Sequence, residues 1–452
     1  MSISKTYQFL LTVIFFIFLI FIHNNHVLDS DEGVVLDGAW NIINGRLLYI
    51  DFFHLIAPGS FFLIFIVWKI FGVSYLLANL FSIVVLFLAI IGLYKISKLL
   101  INNWLAYLTP IAYGLMSFYW PLINHNSYNI VLIIWAIYFL IKAFDDQRCS
   151  NFLLAGSFSG LSILFLQSKG AMFFIGITGL LFILKLINKV KIKNVVYYFL
   201  SGFIISWSVL IFWPLDIIYR SLVVVPVSNY TSINHGSLFF LLLIIIWLVV
   251  LAWFYRREKN FKIIFLFFVQ LLLLLISFYK LDYYNISIVS FPLLILTSLF
   301  FTKIKKYRQK LFFAIFSLII FFILMIPSFV YIVYHRPPFG WPDSIIKYTQ
   351  ENCPGQYLYA GPFLPGVYFE TGKLNPGPYY SLFTSFNTDS QFQEQAMAIE
   401  KYKPTCAILN YNIVSKFNYN LNNPVDQYIL QNYNEVTTEF NNINFYKINN
   451  NF

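Results

Sequence analysis

The stretch HNNHVLDSDEGVVLDGAWNIINGRLLYIDFFHLIAPGSFFLIFIVWKIF, residues 23–71, decides how the rest of the chain is read. It follows an almost pure hydrocarbon run, FLLTVIFFIFLIFI (9–22), and gathers Asp29, Asp31, Glu32, Asp37 and Asp51 in a protein that is only 11% charged. Its last segment, FFLIFIVWKIF (61–71), is apolar but short. At about 1.5 Å per residue it reaches about 16 Å, roughly half of a bilayer's hydrocarbon core. Whether it crosses a membrane decides the side of each later loop, since a crossing here swaps them all.

Of the 452 residues, 59% are hydrophobic and 21% aromatic. A soluble domain cannot hide that much apolar surface, so the composition indicates a polytopic membrane protein. Apolar runs long enough to span fall at about 7–23, 74–94, 104–121, 127–143, 151–167, 171–187, 195–215, 237–254, 261–279, 286–301 and 311–334. The first run has Lys5 before it and no small-x-small cleavage site after it, so it reads as a retained helix and not a signal peptide.

Basic residues mark cytoplasmic loops. With 61–71 taken as non-crossing, alternate loops hold Lys5; Lys95 and Lys98; Lys142 and Arg148; Lys185, Lys189, Lys191 and Lys193; Arg256, Arg257, Lys259 and Lys262; and Lys303, Lys305, Lys306, Arg308 and Lys310. The opposite loops hold only Arg46, Lys169, Arg220 and Lys280. A crossing 61–71 would invert this bias. The segment therefore reads as a half-inserted or surface-lying helix in a first outer loop, 24–73. The expected topology has the N-terminus cytoplasmic, about eleven spans and the C-terminal residues extracytoplasmic, in a bacterial plasma membrane. The same bias accounts for the net charge of +11 without nucleic acid.

From HRPPFGWPDS (335–344) onward the chain turns polar. PDSIIKYTQENC and SQFQEQAMAIEKYKP read as helices, GQYLYAGPF and TCAILNY as short strands. The fold class is thus an all-α polytopic membrane domain, 1–335, with a small extracytoplasmic α/β domain, 336–452. Cys353 and Cys406 lie in that second part and are able to pair in an oxidising compartment, or to remain two buried thiols.

The acidic stretch leads into VVLDGAWNIINGRLLYI, whose Val34, Val35, Ala39, Ile42 and Ile43 suit one face of an interfacial helix. Such a helix holds carboxylates at a membrane surface. The order Asp31-Glu32, Ala39, NGRLLYIDFFHLIAPG and a half-length helix ending KIFGVS resembles the first outer loop of the C-type glycosyltransferase superfamily, in its branch of protein mannosyltransferases and lipid A aminoarabinose transferases. FLQSKGAMFFIG and YYNISIVSFPLLI are similar to later segments of that family. Two places depart from it. His54-Leu55-Ile56-Ala57-Pro58-Gly59 stands where relatives often have a Lys before a Pro-Pro pair. Asn124-His125-Asn126 stands where they often have an Asp.

The resemblance implies an inverting transfer of a sugar from a polyprenyl-phosphate donor to an acceptor hydroxyl on a lipid, glycan or protein. Partial desolvation suits a carboxylate at the interface to the general-base role. Asp31 is the first candidate, Glu32 its neighbour and Asp51 the reserve. The leaving phosphate calls for cations, for which Arg46, Lys169, Arg220, Lys280 and His54 are the outer candidates. Asn124, His125 and Tyr284 complete the list. A divalent metal ion held by Asp31, Glu32 and a histidine stays open, since no spacing demands it. Two other classes stay open as well. A flippase for lipid-linked sugars calls for charged or broken helices at mid-membrane, whereas these span centres are almost uncharged. A polysaccharide ligase or polymerase calls for Arg and His in a large late loop.

Overall fold

The computed structural model describes residues 5–23, 31–229, 238–256, 258, 260–278, 282–304, 343–384, 387–411, 419–436 and 443–449. Lys280, the apolar run 311–334 and His26, His235 and His335 lie outside them. The chain forms two compact units. Unit 1 comprises 1–24, 79–212 and 235–336; unit 2 comprises 25–78, 213–234 and 337–452.

Unit 1 is helical. It holds α1 (Lys5–Ile22), most of α4 (Tyr75–Leu100), α5 (Leu108–Met116), α6 (His125–Asp146), α7 (Cys149–Phe165), α8 (Gln167–Leu186) and α9 (Ile192–Leu210). It continues with α12 (Leu238–Tyr255), α13 (Phe261–Ser277), α14 (Tyr283–Ile288) and α15 (Phe291–Lys303). Four of these, α4, α6, α8 and α9, are long and apolar enough to cross a membrane. α6 is the central one: Ile130, Ile133, Ile134, Ile137, Leu140 and Ile141 are all buried. An apolar helix buried around much of its girth sits inside a bundle. α7 and α9 approach through small residues. A Cβ on Gly156 would lie 2.1 Å from the Tyr198 carbonyl oxygen, and one on Gly160 2.1 Å from that of Gly202. Close approach of this kind is how membrane helices gain packing energy without a hydrophobic driving force.

The expected span 286–301 is broken in two. Pro292 removes an amide donor near the start of α15, so the helix restarts after Ser290. The Gln270 Oε1 on α13 accepts the Leu293 N–H at 3.0 Å and satisfies one of the amides the break leaves open.

Unit 2 contains α2 (Asp31–Ile43), α3 (Gly59–Phe71), a short helical segment α10 (Leu215–Tyr219) and α11 (Val225–Asn229) joined by a π turn, and the C-terminal α/β fold. The last is built from α16 (Asp343–Asn352), β1 (Tyr359–Gly361), α17 (Gly366–Thr371), α18 (Asp389–Tyr402), β2 (Cys406–Asn410), α19 (Pro424–Asn432), β3 (Tyr433–Val436) and β4 (Ile443–Ile448). The sheet order is β1-β2-β4-β3, with β1 and β2 parallel and the other pairs antiparallel. β2 is buried along its whole length, so it reads as a continuous apolar run and not an alternating one. Ala360, Ile408 and Phe445 face the layer of α16 and α17. Tyr359, Ala407, Leu409 and Tyr446 face α18 and α19. A disulfide joins Cys353, just after α16, to Cys406 on β2.

The division read from the sequence placed 24–73 with the membrane helices. In the structure 25–78 folds with the C-terminal residues instead. α2 packs on α3 and on α17. A Cβ at Gly38 would lie 2.4 Å from the Phe61 ring, so only glycine lets α2 meet α3 this closely. Trp40 donates from Nε1 to the Lys373 carbonyl at 2.8 Å, and Trp68 stacks on Phe369 at 5.0 Å. Sequence distance hides this partnership, because no periodicity within 25–78 records contacts made some 300 residues later.

Candidate active site

α2 begins at Asp31, so Asp31 and Glu32 occupy its first turn. The helix macrodipole favours carboxylates there, whatever their further use. Asp31 is half-buried, while Glu32 is 6% exposed. Lower on the same helix Asp37 is also buried, and burial pushes its carboxyl up to about 7. Arg46 and a hydrogen bond from Asn41 Nδ2, 3.1 Å from Asp37 Oδ1, pull it the other way.

The helix beneath these acids is apolar on its outward side. Ile66, Ile70 and Phe71 of α3 are exposed, as are Leu47 and Ile50 of the preceding loop. α3 has 13 residues and, at about 1.5 Å each, a length of about 20 Å. It is shorter than a roughly 30 Å hydrocarbon core and lies within unit 2.

Arg46 is a strut. Its guanidinium donates to Asn41 Oδ1 (2.9 Å) and to the carbonyls of Asp51 (2.8 Å), Asn375 (3.1 Å) and Gly377 (3.1 Å). A rigid fork spread over four acceptors fixes the loop to the C-terminal fold. Asp51 braces the same turn, since its Oδ2 accepts the Leu47 N–H at 2.7 Å. Both were sequence candidates for chemistry, and both make structural contacts here.

His54 is 1% exposed. Its ring stacks on Tyr380 at 4.4 Å with a 10° interplanar angle and leans on Phe61 at 4.3 Å. Next to it, Phe53 packs on Tyr379 at 5.8 Å, and the Tyr379 hydroxyl donates to Glu394 Oε2 at 2.6 Å. Burial and the Glu394 carboxylate push the Tyr379 hydroxyl up, while Arg220 acts in the opposite direction. That places the exposed Arg220 within electrostatic reach of Tyr379. Its segment is fastened by Trp213, whose Nε1 donates to the Leu48 carbonyl at 2.8 Å and whose ring meets Tyr49 and Phe62.

Unit 1 has its own polar cluster. Lys169, 7% exposed, donates from Nζ to Asn126 Oδ1 (2.8 Å) and Asn285 Oδ1 (2.7 Å). Asn285 Nδ2 donates in turn to both carboxylate oxygens of Asp282, at 3.0 and 2.9 Å. Gly170 permits this placement: a Cβ there would lie 2.5 Å from the Ile163 backbone nitrogen. Asn124 caps α6 by accepting the Asn126 N–H at 2.8 Å, and His125 beside it is buried. Tyr284 on α14 shares a hydrogen bond with Ser127 on α6 at 3.1 Å. Four candidates from three separate helices, Asn124, His125, Lys169 and Tyr284, therefore meet around one place. Asn126, Asn285 and Asp282 belong there too and were not singled out. Their signal was available, since each directly neighbours a polar or aromatic residue at a helix start. Among the described residues, no three His, Cys, Asp or Glu side chains gather to hold a metal ion.

Residues 56–213 match the family of dolichyl-phosphate-mannose-protein mannosyltransferases. The fold of the whole chain is similar to that of ArnT from Cupriavidus metallidurans bound to undecaprenyl phosphate. There the TM-score is 0.64 and the identity 11%, with 98% of each chain covered. The apo state of that protein gives a TM-score of 0.67 at 11% identity and the same coverage. The archaeal oligosaccharyltransferase AglB from Archaeoglobus fulgidus, in complex with an inhibitory peptide and a dolichol-phosphate, gives 0.61 at 10% identity. It covers 99% of this chain and 75% of its own. No curated protein matches by sequence. The resemblance to C-type glycosyltransferases first read from residues 31–72 is thus borne out by family match and by fold.

Proposed function

We propose that the protein transfers a sugar from a polyprenyl-phosphate donor to an acceptor hydroxyl at the extracytoplasmic membrane face, with inversion and with Asp31 as general base. The observation that carries this reading is the acid pair heading α2, half-buried at Asp31 and buried at Glu32, on a helix packed over the outwardly apolar α3. A carboxylate there is partly desolvated and within reach of a lipid-borne substrate. The acceptor oxygen attacks the anomeric carbon as its proton passes to Asp31. The bond from that carbon to the phosphate oxygen breaks, and polyprenyl phosphate leaves. Glu32 orients the acceptor beside Asp31.

The departing phosphate gains charge, so a preorganised cation lowers the barrier. Lys169 is the first choice, because its partners include two side-chain amides that are able to turn and admit phosphate oxygens. Arg220 and His54 are the supporting donors, with Lys280 a further candidate. The Cys353–Cys406 disulfide supports an oxidising, extracytoplasmic setting for unit 2. The lipid phosphates bound by the two similar proteins support the donor class.

The test is purified protein given undecaprenyl-phosphate sugars, with released polyprenyl phosphate measured beside Asp31→Asn. General-base removal lowers transfer by about 10²–10⁴-fold. Undiminished turnover in the variant would remove the base assignment.

A further inference from the structure

The turns at one end of unit 1 carry charge that sugar transfer does not use. α8 ends at Leu186 and α9 begins at Ile192, so the chain reverses within a few residues. The turn is closed as a Schellman motif. The Lys189 N–H donates to the Leu184 carbonyl (2.8 Å) and the Asn188 N–H to that of Lys185 (3.0 Å). Asn188 takes the left-handed conformation the motif requires, at φ 58°. Val190 is buried and anchors the loop. Beside it α6 ends on Gln147, which is also left-handed at φ 49°. The Asn194 Nδ2 on α9 ties the two turns together, donating to both Gln147 O and Gln147 Oε1 at 3.3 Å.

These fixed turns enclose a concavity of about 500 Å³ lined by Gln147, Lys185, Asn188, Lys189, Val190, Lys191 and Ile192. Three lining residues carry ammonium groups and none carries a carboxylate. Lys193 follows directly, and the first turn of α9 has no acidic residue to offset it. The neighbouring acids are engaged elsewhere: Asp145 pairs with Lys262, and Asp146 with Arg148 and Asn151. Among the described residues the four lysines have no ion-pair partner. Lysines on an unshaped surface simply extend into water. Here backbone hydrogen bonds hold them around one hollow, where mutual repulsion is relieved by an anion.

The rim says which anion. Ile183, Leu186, Ile187 and Ile192 are exposed, and they continue the apolar flanks of α8 and α9, two of the helices long enough to cross a membrane. We infer that this groove binds the phosphate-bearing headgroup of an anionic phospholipid, whose acyl chains lie along the apolar rim. Basic pockets at helix ends on the cytoplasmic side suit such headgroups, and the basic-loop bias puts these turns on that side. The inference does not depend on the transferase reading.

The experiment uses the full-length protein in detergent, with lipid retention measured by native mass spectrometry after exchange into phosphatidylglycerol or phosphatidylcholine. The wild type retains phosphatidylglycerol in preference. Lys185→Gln/Lys189→Gln/Lys191→Gln loses that preference by about tenfold or more, whereas the control Lys95→Gln/Lys98→Gln keeps it. Equal retention of both lipids by the wild type, or equal loss in the control, overturns the proposal. Displacement by glycerol 3-phosphate as effective as by the lipid also overturns it, since the site would then serve a soluble phosphate. Should the triple variant not fold, the wild type alone decides. Raising salt from about 0.1 M to about 1 M shortens the screening length from about 10 Å to about 3 Å. Retention must then fall several-fold, and salt-independent retention defeats the idea.

Discussion

Lys169 in unit 1 and Arg46 in unit 2 are both cations near helix ends, and their partners differ in kind. Three of the four acceptors around Arg46 are backbone carbonyls, fixed by the fold itself. Lys169 donates to two side-chain amide oxygens on rotatable stems, Asn126 Oδ1 and Asn285 Oδ1, with Asp282 behind the second. A cation spent on backbone carbonyls holds structure. A cation held by side-chain amides is stored in place and is able to exchange those partners for a ligand. Residue type and position along the chain do not separate the two settings; the kind of acceptor does, and the role proposed for Lys169 rests on it.

The largest effect belongs to the acids on which the proposed reaction depends. Combined Asp31→Asn and Glu32→Gln should lower transfer by about 10³-fold or more without loss of the folded state, read as released polyprenyl phosphate beside a thermal melt. Activity within tenfold of the wild type would remove the α2 head from the reaction.

Lys169→Met should cost about 10²–10³-fold in kcat, the scale of losing one preorganised donor to a developing anion. Its thermal midpoint also falls, because Asn126 and Asn285 lose a buried partner. What separates it from a mere structural change is the kcat loss per folded molecule. If specific activity is unchanged, Lys169 belongs with Arg46 as a strut.

Asp37 sharpens the contrast through pH. Its carboxyl ionises near 3.8 in an unfolded chain and near 7 in the fold. Below about pH 4 both states are protonated and nothing is lost. Between the two values only the unfolded chain is ionised, so stability falls as pH rises, and above about 7 the loss is complete. Asp37→Asn stays neutral throughout and should gain up to about 4 kcal/mol over the wild type at pH 8, with little gain at pH 4. Thermal melts across that range check it, and a gain independent of pH would show that the carboxyl is not the cause.

The smallest effect belongs to Arg46→Lys. The charge survives but the fork does not, so about 1–2 kcal/mol of stability should go, with transfer per folded molecule within a few-fold of the wild type. A loss of a hundredfold in that specific activity would return Arg46 to the phosphate.

Much of the helical part was legible from the sequence, for a simple reason. In an apolar solvent each span satisfies its own backbone hydrogen bonds, so a run of apolar residues announces a helix without help from the rest of the chain. Ten of the apolar runs coincide with helices among the described residues, although Pro292 splits one of them. The strands around Tyr359 and Cys406 and the helices at 343–352 and 389–402 were also visible, through turn residues and local periodicity. β3, β4 and α19 were not anticipated. A short strand earns its stability from partners across the sheet, here β2 for β4 and β4 for β3, and those partners leave no mark in its own few residues.

Sequence alone determined that the chain is rich in apolar spans, that 61–71 is shorter than an ordinary span, and that its basic residues fall in alternate loops away from the acids. Each follows from composition, length or charge bias, properties that a linear chain carries in itself. Only the tertiary structure decided that 25–78 folds with the C-terminal α/β residues, that Arg46 and Asp51 brace a loop, and that Lys169 shares a cluster with Asn124, His125 and Tyr284. Those outcomes depend on which groups complete one another's hydrogen bonds once the chain has closed, and distant residues supply them.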